Sequence, residues 1–432
     1  MDFLPQCPKV KTVIVMEDQL EGVAAPQTLP KDVTLVPFKE LAKSNPQAVE
    51  LPKAEADDVA ILMYTSGSTG NPKGVELTHT NILASMMSFM VQMKNLEVGD
   101  RFLTFLPLAH IMELVSELTA ISIGVSIYYS SPFTLTNASP KVMQGTEGDA
   151  RVAKPSFIIS VPILLDNIVL GVTKKVEEQN FIKRCIFNSA IKYKTEHECS
   201  PFVTYLMKQL IFKQVQEEFG GKLKVIGSGA APLTAKTHKA ICAMFDVPVQ
   251  VGYGATETAA SVTCMDNDDT DTGHTGGPNM GVLVRLIDWE EGDYRITDEP
   301  NPRGEVIVAG PVIAKQYFNL TEENEDAFLE EHGQRWFCTG DIGEIDPLGR
   351  LKIIDRKKDL IKLKHGEFIS LGKVESRLKS LACIENIYVC ADPTKDQTVA
   401  VVVPTHESLR KVAGQVGIEE SASITIEELC NN

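Results

Sequence analysis

One loop-forming segment restricts the fold of this chain more than any other feature. It reads Tyr-Thr-Ser-Gly-Ser-Thr-Gly-Asn-Pro-Lys-Gly over residues 64–74 and lies between two apolar runs, Val59–Met63 and Val75–Thr78. Its three glycines let the backbone adopt positive φ, so that successive N–H groups can turn towards an anion. Four hydroxyls and Lys73 add hydrogen-bond donors and a positive charge. The segment therefore predicts a strand, a polyphosphate-binding loop and a second strand.

The residues predicted to contact phosphate are Thr65, Ser66, Gly67, Ser68, Thr69, Gly70 and Lys73. The loop is not a Walker A sequence, because the chain contains no G-x-x-x-x-G-K-[ST] spacing. A flexible glycine–serine turn is the alternative interpretation, and it would explain Gly-Ser-Gly or Thr-Gly alone. It does not explain an ordered series of loop residues between two buried strands.

Composition excludes several classes of function. The chain has 432 residues, 43% of them hydrophobic, and a formal net charge of −16. Such a length allows more than one hydrophobic core. The strong negative charge argues against nucleic acid as a partner. Nine cysteines without a C-x-x-C pair are typical of a reducing compartment rather than of a secreted disulfide framework.

Two short segments resemble metal sites only superficially. His197 and Cys199 have no second Cys/His pair at zinc spacing. The acidic run Asp266–Asp271 has aspartate where the calcium loop of an EF-hand needs glycine, and Gly277 where it needs glutamate. We interpret this run as a solvated loop.

From the sequence we expect neither a signal peptide nor a membrane span. The first ten residues include two prolines and no long apolar core. The most apolar stretches, Leu118–Tyr129 and Phe157–Val172, are shorter than the roughly 20 residues that a spanning helix needs. We expect both to be buried elements of a globular domain.

The pattern along the chain predicts alternating strands and helices. The expected strands are Val10–Met16, Lys31–Pro37, Phe102–Phe105, Ser156–Ile159, Lys224–Ser228 and Pro248–Tyr253, with Ile384–Ala391 and Val399–Val403 near the end. The expected helices are Phe38–Ser44, Asn81 to about Lys94 with Thr80 as its cap, the long segment Ile163–Glu218, and Lys373–Ser380. On the second helix a stripe of Ile82, Met86, Phe89, Met90 and Met93 is interpreted as core rather than as a ligand surface.

Further short motifs follow predicted strand ends in a fixed order. They are Pro107–His110, Gly227–Pro232, Gly252–Thr258, Arg303–Gly310, Trp336–Asp341 and Gly349–Ser370. Together with the loop they resemble the core motifs of the adenylate-forming superfamily, which includes acyl-CoA synthetases, firefly-type luciferases and peptide-synthetase adenylation domains. Gln334–Gly343 and Ile354–Leu360 are similar to eukaryotic long-chain fatty acyl-CoA synthetases. Tyr193–Glu218 resembles an insertion of the animal branch that favours polyunsaturated acids.

The resemblance implies an α/β fold with a large AMP-binding domain and a small α+β lid. We expect the large domain to span residues 1–355, with a β-rich part at about 281–350, and the lid to span residues 356–432. Compared with the family, the large domain lacks its N-terminal part. The lid lacks the last motif, a lysine that contacts the α-phosphate and the carboxylate. We therefore expect a fragment or a truncated isoform.

The resemblance also implies the reaction. A long-chain fatty acid, ATP and CoA give acyl-CoA, AMP and pyrophosphate through an acyl-adenylate, with Mg²⁺ assisting. A ligase acting on an aryl acid or an amino acid is one alternative. The other is a catalytically impaired product that binds nucleotide or partners without turnover.

Residue types at the motif positions suit these roles. Glu257, beside Thr256, offers the carboxylate oxygen that magnesium prefers, although it could instead be an acid at a helix start. Asp341 has two acceptor oxygens for the ribose hydroxyls, although it could simply cap a turn. His110 could orient the substrate carboxylate or be a core histidine, and the sequence favours neither.

The remaining assignments follow from the resemblance. Tyr253, Gly254, Gly229, Ala230 and Ala231 are expected around the adenine, and Arg356 at the ribose. Lys358 is expected to be the hinge of the lid, and Gly366 to line the pantetheine tunnel. Lys73 and His110 join Thr256 and Glu257 as the expected catalytic residues. The resemblance further implies membrane association through a segment absent from this chain, at the cytosolic face of the endoplasmic reticulum, the mitochondrial outer membrane, peroxisomes or lipid droplets.

Overall fold

The computed structural model describes residues 7–15, 32–43, 52–65, 71–197, 200–364, 366, 368–379, 381, 383–395 and 397–415. The chain divides into two compact units, residues 1–54 and residues 55–432. In the first unit β1 (Thr12–Val15) pairs in parallel with β2 (Thr34–Pro37), and α1 (Phe38–Lys43) follows. These elements confirm the predicted strands and helix of this region in shorter form. Met16, Lys31 and Ser44 lie outside the described residues.

The first part of the second unit alternates strands and helices. Its elements are β3 (Val59–Thr65), β4 (Lys73–Thr78), α2 (His79–Gln92), β5 (Arg101–Thr104), α3 (Ile111–Ser122), β6 (Ser126–Tyr129), α4 (Asp149–Ala153), β7 (Phe157–Ser160), α5 (Pro162–Glu177), α6 (Phe181–Glu196), α7 (Pro201–Met207), α8 (Lys213–Glu218), β8 (Val225–Ser228), α9 (Ala235–Phe245), β9 (Val249–Tyr253), β10 (Thr263–Cys264) and β11 (Gly277–Pro278). The predicted strands here are confirmed to within two residues at each end.

A seven-stranded sheet brings the ends of distant segments together. Its order is β11-β10-β9-β8-β7-β5-β6, and the five strands from β9 to β6 run in parallel. All four residues of β7 are buried, as expected for a parallel strand covered on both faces. Because parallel strands share one carboxyl edge, the segments that follow β5, β8 and β9 meet there. These segments contain His110, Gly229 and Glu257.

The predicted cap of α2 was wrong by two residues. Thr78, not Thr80, caps the helix: the Asn81 N–H donates to the Thr78 hydroxyl, and the Thr78 N–H donates to Asn81 Oδ1. This reciprocal pair satisfies two backbone donors that a helix start otherwise leaves open. The helix therefore begins at His79 and ends at Gln92, earlier than predicted.

The segment predicted as one long helix, Ile163–Glu218, is divided into several. Asn180 accepts a hydrogen bond from the Lys183 N–H and starts α6, and Ser200 accepts one from the Val203 N–H and starts α7. Pro201 lacks the N–H that a continuous helix would need at that point. A π-helical turn over Lys208–Phe212 then joins α7 to α8. Helix caps, rather than loss of hydrophobic periodicity, cause the breaks.

The second part of this unit is mainly antiparallel. Its elements are β12 (Leu283–Ile287), β13 (Arg303–Ala309), β14 (Gln316–Tyr317), α10 (Thr321–Ala327), β15 (Phe328–Glu331), β16 (Gln334–Ile345), β17 (Leu351–Arg356), β18 (Leu360–Lys362), β19 (Phe368–Ser370), α11 (Leu371–Lys379), β20 (Ile384–Ala391), β21 (Thr398–Pro404) and α12 (His406–Gln415). Strands β12, β13, β16 and β15 form one sheet, with β17 paired to β16. Strand β14 joins β4 and β3 in another. The predicted short strands after Gly281 and the later helix and hairpin are confirmed.

Candidate active site

One cavity of about 820 Å³ lies at the carboxyl edge of the seven-stranded sheet. Of the residues predicted from the sequence, it is lined by Thr65, Lys73, His110, Gly229, Ala230, Tyr253, Gly254, Thr256, Glu257, Asp341, Arg356 and Lys358. Ala231 and Gly366 are not among its lining residues, and Ser66, Gly67, Ser68, Thr69 and Gly70 lie outside the described residues. The fold thus brings most of the separate motifs to one place.

A lysine, a carboxylate and a tyrosine meet at one end of the cavity. The Tyr317 hydroxyl donates a hydrogen bond of 2.7 Å to Glu257 Oε1. Lys73 Nζ lies 5.0 Å from the centroid of the Tyr317 ring and 4.0 Å from Glu323 Oε1. Burial, together with the Glu257 charge, raises the pKa of Tyr317, so its hydroxyl stays protonated as a donor. Tyr317 therefore orients Glu257, a role that sequence analysis missed.

The Glu257 carboxylate fits a hard divalent cation. Tyr317 occupies Oε1, while Glu257 and the neighbouring Thr256 both face the cavity. Magnesium takes one or two protein oxygens and keeps water and phosphate oxygens for its other positions. The side-chain oxygens of Glu257 and Thr256 match that requirement.

Asp341 lies at the centre of a second group. The Tyr253 hydroxyl donates to Asp341 Oδ2 at 2.7 Å, and Arg356 Nε donates to Oδ1 at 2.8 Å. Asp341 is buried, and its charge raises the pKa of Arg356. Strands β16 and β17 place the pair directly opposite each other in register. This contact removes the turn-cap interpretation of Asp341, since its side chain bonds across strands.

His110 is not a core residue. It caps α3, its Nδ1 accepts a hydrogen bond of 3.3 Å from the Met112 N–H, and its side chain remains accessible from the cavity. Because Nδ1 is an acceptor, the proton of the neutral ring lies on Nε2. Desolvation by the surrounding walls lowers the pKa of His110, which favours this neutral form. A neutral Nε2–H can donate to a carboxylate oxygen.

Packing requires a glycine at Gly254, near the predicted adenine site, and restricts Gly229 less strictly. A Cβ on Gly229 would lie 2.9 Å from Met112 Sδ, and one on Gly254 would lie 2.4 Å from the Ala260 backbone. Sequence analysis explained the small residues of this region by the approach of a flat ring. The structure adds a second reason for Gly254, because backbone atoms occupy the space of a Cβ, whereas at Gly229 the flexible Met112 side chain could shift.

An ion pair borders the cavity next to the predicted hinge. Lys357 Nζ lies 2.6 Å from Glu305 Oε2. Lys357 belongs to the turn after β17 and Glu305 to β13, so the ion pair joins these two elements. The following residue, Lys358, lines the cavity. Farther on, Gly366 has φ +88°, a value that side-chain-bearing residues rarely adopt. The positive φ explains why a glycine is found at position 366, but Gly366 does not line the cavity.

Part of the cavity lining is apolar, and sequence analysis did not identify it. Its walls include Phe89 and Met93 of α2, Met112 of α3, and Phe157 and Ile159 of β7. Met93 is 3% exposed, and Phe89 packs against two buried clusters. The interpretation of the α2 stripe as core alone was therefore incomplete, because two of its members also line the cavity.

Three amide side chains also line the cavity; Gln250 and Asn279 are buried, and Gln92 is half-buried. Gln250 Nε2 donates to Gln92 Oε1 at 3.3 Å, and Gln92 Nε2 donates to Asn279 Oδ1 at 3.4 Å. Asn279 Nδ2 donates to the Ser261 hydroxyl at 2.8 Å. All three amide residues line the cavity, so part of its wall is polar. Their side-chain amides form hydrogen bonds with one another and with Ser261.

The ligand atoms of Asp269, Asp271 and His274 lie within 4.8 Å of one another. His274 Nδ1 accepts a hydrogen bond from the Gly276 N–H, so the proton of the neutral ring lies on Nε2, 3.4 Å from Asp269. A nitrogen that holds a proton cannot bind a metal ion. Arg350 Nη1 also lies 2.7 Å from Asp271 and neutralises it. The cluster favours internal ion pairing over a metal.

Membrane-spanning helices are absent from the described part of the chain. None of its helices combines the length and the apolar character that crossing a bilayer requires.

Comparison with protein families and curated proteins gives consistent matches. A family model described as AMP-binding enzyme matches residues 3–318. Long chain acyl-CoA synthetase 8 of Arabidopsis thaliana is 40% identical over 361 residues, which cover 82% of this chain and 50% of that protein. Long-chain-fatty-acid–CoA ligase 1 of Saccharomyces cerevisiae is 35% identical over 355 residues, which cover 81% and 49%. The chain spans about half the length of these curated relatives.

Solved structures show the same fold. O-succinylbenzoate coenzyme A synthetase from Bacillus subtilis, in complex with ATP and magnesium, has a TM-score of 0.62 and 26% identity, covering 86% of this chain and 66% of that one. The A domain of a carboxylic acid reductase from Segniliparus rugosus, in complex with AMP and a co-purified carboxylic acid, has a TM-score of 0.68 and 22% identity, covering 94% and 60%. The fold expected from the sequence is thus confirmed.

Proposed function

Since the chain belongs to the AMP-binding enzyme family, we propose that its protein activates a long-chain fatty acid with ATP and transfers the acyl group to CoA. In the first step the carboxylate attacks the α-phosphorus, and pyrophosphate leaves. In the second step the CoA thiol attacks the acyl carbon, and AMP leaves. The names of the similar curated proteins, which are long-chain acyl-CoA synthetases and ligases, support this substrate class.

The observation that carries the proposal is a single cavity lined by two chemically different sets of residues. The polar set includes Lys73, Glu257 and the Asp341–Arg356 pair, and the apolar set includes Phe89 and Met93. Charged and hydroxyl groups suit a nucleoside triphosphate, while aromatic and thioether walls suit a hydrocarbon chain. One cavity therefore offers contacts both to ATP and to the chain of a fatty acid.

We assign the polar residues as follows. Lys73 and Thr65, with the loop residues Ser66, Gly67, Ser68, Thr69 and Gly70, bind the β- and γ-phosphates. Glu257, beside Thr256, holds Mg²⁺, which neutralises charge on the phosphates when bound. Asp341 and Arg356 bind the ribose. Tyr253, Gly229, Ala230, Ala231 and Gly254 surround the adenine. His110 Nε2–H donates to the substrate carboxylate.

The later step depends on the C-terminal segment. We assign residues 1–355 to the AMP-binding domain and residues 356–432 to a lid that turns about Lys358. Gly366 then lines the tunnel for the pantetheine arm of CoA. The finer assignments are also proposals: membership of the animal branch, preference for polyunsaturated acids, and association with membranes of the endoplasmic reticulum, mitochondrion, peroxisome or lipid droplet. Competition between saturated and polyunsaturated acids of equal length tests the proposed preference for polyunsaturated acids.

Isotope exchange between pyrophosphate and ATP tests the main proposal. We expect exchange with magnesium and oleate, little with coumarate, and acyl-CoA formation when CoA is added. If exchange is faster with coumarate than with oleate, the substrate is an aryl acid and not a fatty acid. Binding of ATP without any exchange would favour the alternative of a nucleotide-binding product without turnover.

A further inference from the structure

One row of residues across the seven-stranded sheet changes from apolar to polar inside the cavity. Strands β7, β8 and β9 place Ile159, Gly227 and Gln250 side by side in register. Side chains alternate between the two faces of a sheet, so residues in register share a face. Ile159 and Gln250 therefore point to the same side, and Gly227 adds no side chain between them. All three residues line the cavity.

Helix α2 lies over this face of the sheet. Met93 belongs to the same buried cluster as Phe157 and Ile159. The preceding residue, Gln92, contacts the amide of Gln250: Gln250 Nε2 donates to the Gln92 carbonyl at 3.5 Å and to Gln92 Oε1 at 3.3 Å. Consecutive residues of one helix thus contact the apolar and the amide members of the row. The apolar and amide parts of the cavity lining are therefore neighbours.

The two glutamine amides retain hydrogen-bonding capacity. The Gln250 side chain is 6% exposed, and its hydrogen bonds to the described residues, including one of 3.4 Å to the Met265 carbonyl, all leave from Nε2. Within the described part of the chain, Gln250 Oε1 is therefore an acceptor without a donor. Gln92 Nε2 donates to Asn279 Oδ1, which uses one of its two N–H groups. The two adjacent amides thus offer an acceptor and a donor to a ligand in the cavity.

A plain hydrocarbon chain satisfies neither of these groups. An acceptor that loses water without gaining a hydrogen bond destabilises the complex. A hydroxyl group donates one hydrogen bond and accepts others, so a single hydroxyl on the chain matches both Gln250 Oε1 and the second N–H of Gln92. An ether or carbonyl oxygen has no proton to donate and would leave Oε1 unpaired. The chemistry of the amides therefore favours a hydroxyl.

We propose that the Gln250–Gln92 amide pair selects a fatty acid that carries a hydroxyl group on its chain. The inference rests on the proposed function and names its substrate more closely. The apolar lining contacts the methylene groups, and the amide pair binds the hydroxyl. Asn279 positions the pair, because it accepts a hydrogen bond from Gln92 and donates one to the Ser261 hydroxyl.

Pyrophosphate exchange by the full-length protein tests this selection. The acids compared are stearate and the monohydroxystearates, which differ only in where the hydroxyl lies. We expect one isomer, or a few adjacent ones, to exceed stearate in kcat/KM by about tenfold, the factor that one hydrogen bond supplies. The gain should appear in KM, since the hydroxyl is bound equally in the ground state and the transition state. Gln250→Met keeps the length of the side chain, removes the acceptor and should abolish the preference.

The matched control is Gln216→Met. Gln216 is 7% exposed and its Nε2 donates to the Met244 carbonyl at 2.9 Å, but it is not among the residues that line the cavity. This substitution should lower stability and leave the preference unchanged. If Gln250→Met does not fold, Gln92→Met, at a half-buried position, removes the donor and should also reduce the preference.

The outcomes separate this inference from the proposed function. Exchange with stearate that equals exchange with every hydroxy isomer would overturn the selection and leave fatty acid activation intact. An equal loss of preference in Gln250→Met and Gln216→Met would also overturn it, because the effect would then come from stability. Exchange with none of these acids would overturn both the selection and the proposed function.

Discussion

The regions before and after Asp355 differ in how their strands are packed. Before it, β7 is buried throughout and β13 at every residue but its first. After it, only four of the described hydrophobic residues are buried: Leu363, Ile387, Val389 and Ala413. Strand β21 exposes all five of its central residues, with Val399 and Val401 more than 60% exposed. The first region has a core of its own, whereas the C-terminal segment has little.

Polar contacts join the C-terminal segment to the earlier strands. Besides Lys357–Glu305, Lys373 Nζ lies 3.4 Å from Asp355 Oδ2. In both pairs the carboxylate belongs to the earlier strands and is buried, whereas the lysine of the C-terminal segment is at least partly exposed. The sparse apolar packing of this segment is typical of parts that move at low free-energy cost. The comparison predicts that substitutions before Asp355 act on adenylation, whereas those at the hinge act on the later step.

Glu257→Ala should have the largest effect in the first region. It removes a metal ligand that matters most when charge develops at the transition state. We expect the kcat for pyrophosphate release in the full-length protein to fall by about 10²–10³, and KM for fatty acid to rise by less. Glu323→Ala, which removes a second acid near Lys73, is the control and should have a much smaller effect. Unchanged pyrophosphate release at saturating magnesium would remove Glu257 from the metal site.

Lys358→Pro tests whether the C-terminal segment turns about Lys358 before the acyl group is transferred to CoA. Proline fixes φ, so a hinge at this residue could no longer rotate. We expect acyl-adenylate to form while acyl-CoA production falls about tenfold or more, as for other blocked conformational steps. Lys358→Ala removes the same charge without fixing φ and should retain more of the second step. Equal loss of both half-reactions in the proline variant would contradict a hinge here.

Tyr317→Phe should have a smaller effect in the first region. It keeps the ring beside Lys73 but removes the hydrogen bond to the Glu257 carboxylate, and hydrogen bonds to charged groups contribute about 1.5–3 kcal/mol. We expect about a tenfold loss in adenylation and a higher magnesium requirement, because the carboxylate is no longer held. Tyr294→Phe, at a ring stacked on Trp289, is the control. A loss that magnesium does not affect would count against a positioning role.

Local sequence patterns identify residues whose chemistry is explicit in a motif. The phosphate loop, Glu257 and Asp341 were predicted because glycines, hydroxyls and acids follow strand ends in a recognisable order, and Glu257 and Asp341 do line the cavity. Tyr317 was missed since nothing local distinguishes it from an ordinary strand residue. It reaches Glu257 because β14 pairs with β4, with Tyr317 opposite Val75. Contacts between such distant segments are set by sheet topology.

Two further errors have different origins. The choice of Thr80 as the α2 cap overlooked Asn81, which completes a capping box with Thr78, so the signal was present in the sequence. Phe89 and Met93 follow the same periodicity whether a helix faces core or cavity. Only the placement of β7 and α3 around them shows that they face both. Periodicity predicts the buried face, but not whether a cavity lies beneath it.

The last prediction concerns pH and should have the smallest effect. Glu113 of α3 is 1% exposed, accepts a hydrogen bond from the Thr104 hydroxyl and lies near Glu117. Burial, with the Glu117 charge, raises the pKa of Glu113 from 4.5 to about 8. None of the described carboxyl groups after Arg356 is buried in this way. Desolvation also raises the pKa of Asp359, but this residue is exposed, so the larger pH dependence should arise in the first region.

Between pH 4.5 and about 8, the folded chain holds a proton on Glu113 that the unfolded chain has lost. The free energy of unfolding should therefore fall as pH rises, by at most about 1.4 kcal/mol per pH unit, and level off above the folded pKa. Glu113→Gln keeps a neutral side chain of the same shape and should remove this slope. Hydrogen exchange resolves the two regions: peptides covering α3 should lose protection from pH 6 to 8 in the wild type only. If β20 and β21 lost protection between pH 6 and 8 while α3 remained protected, the pH dependence would not arise from Glu113 or from the first region.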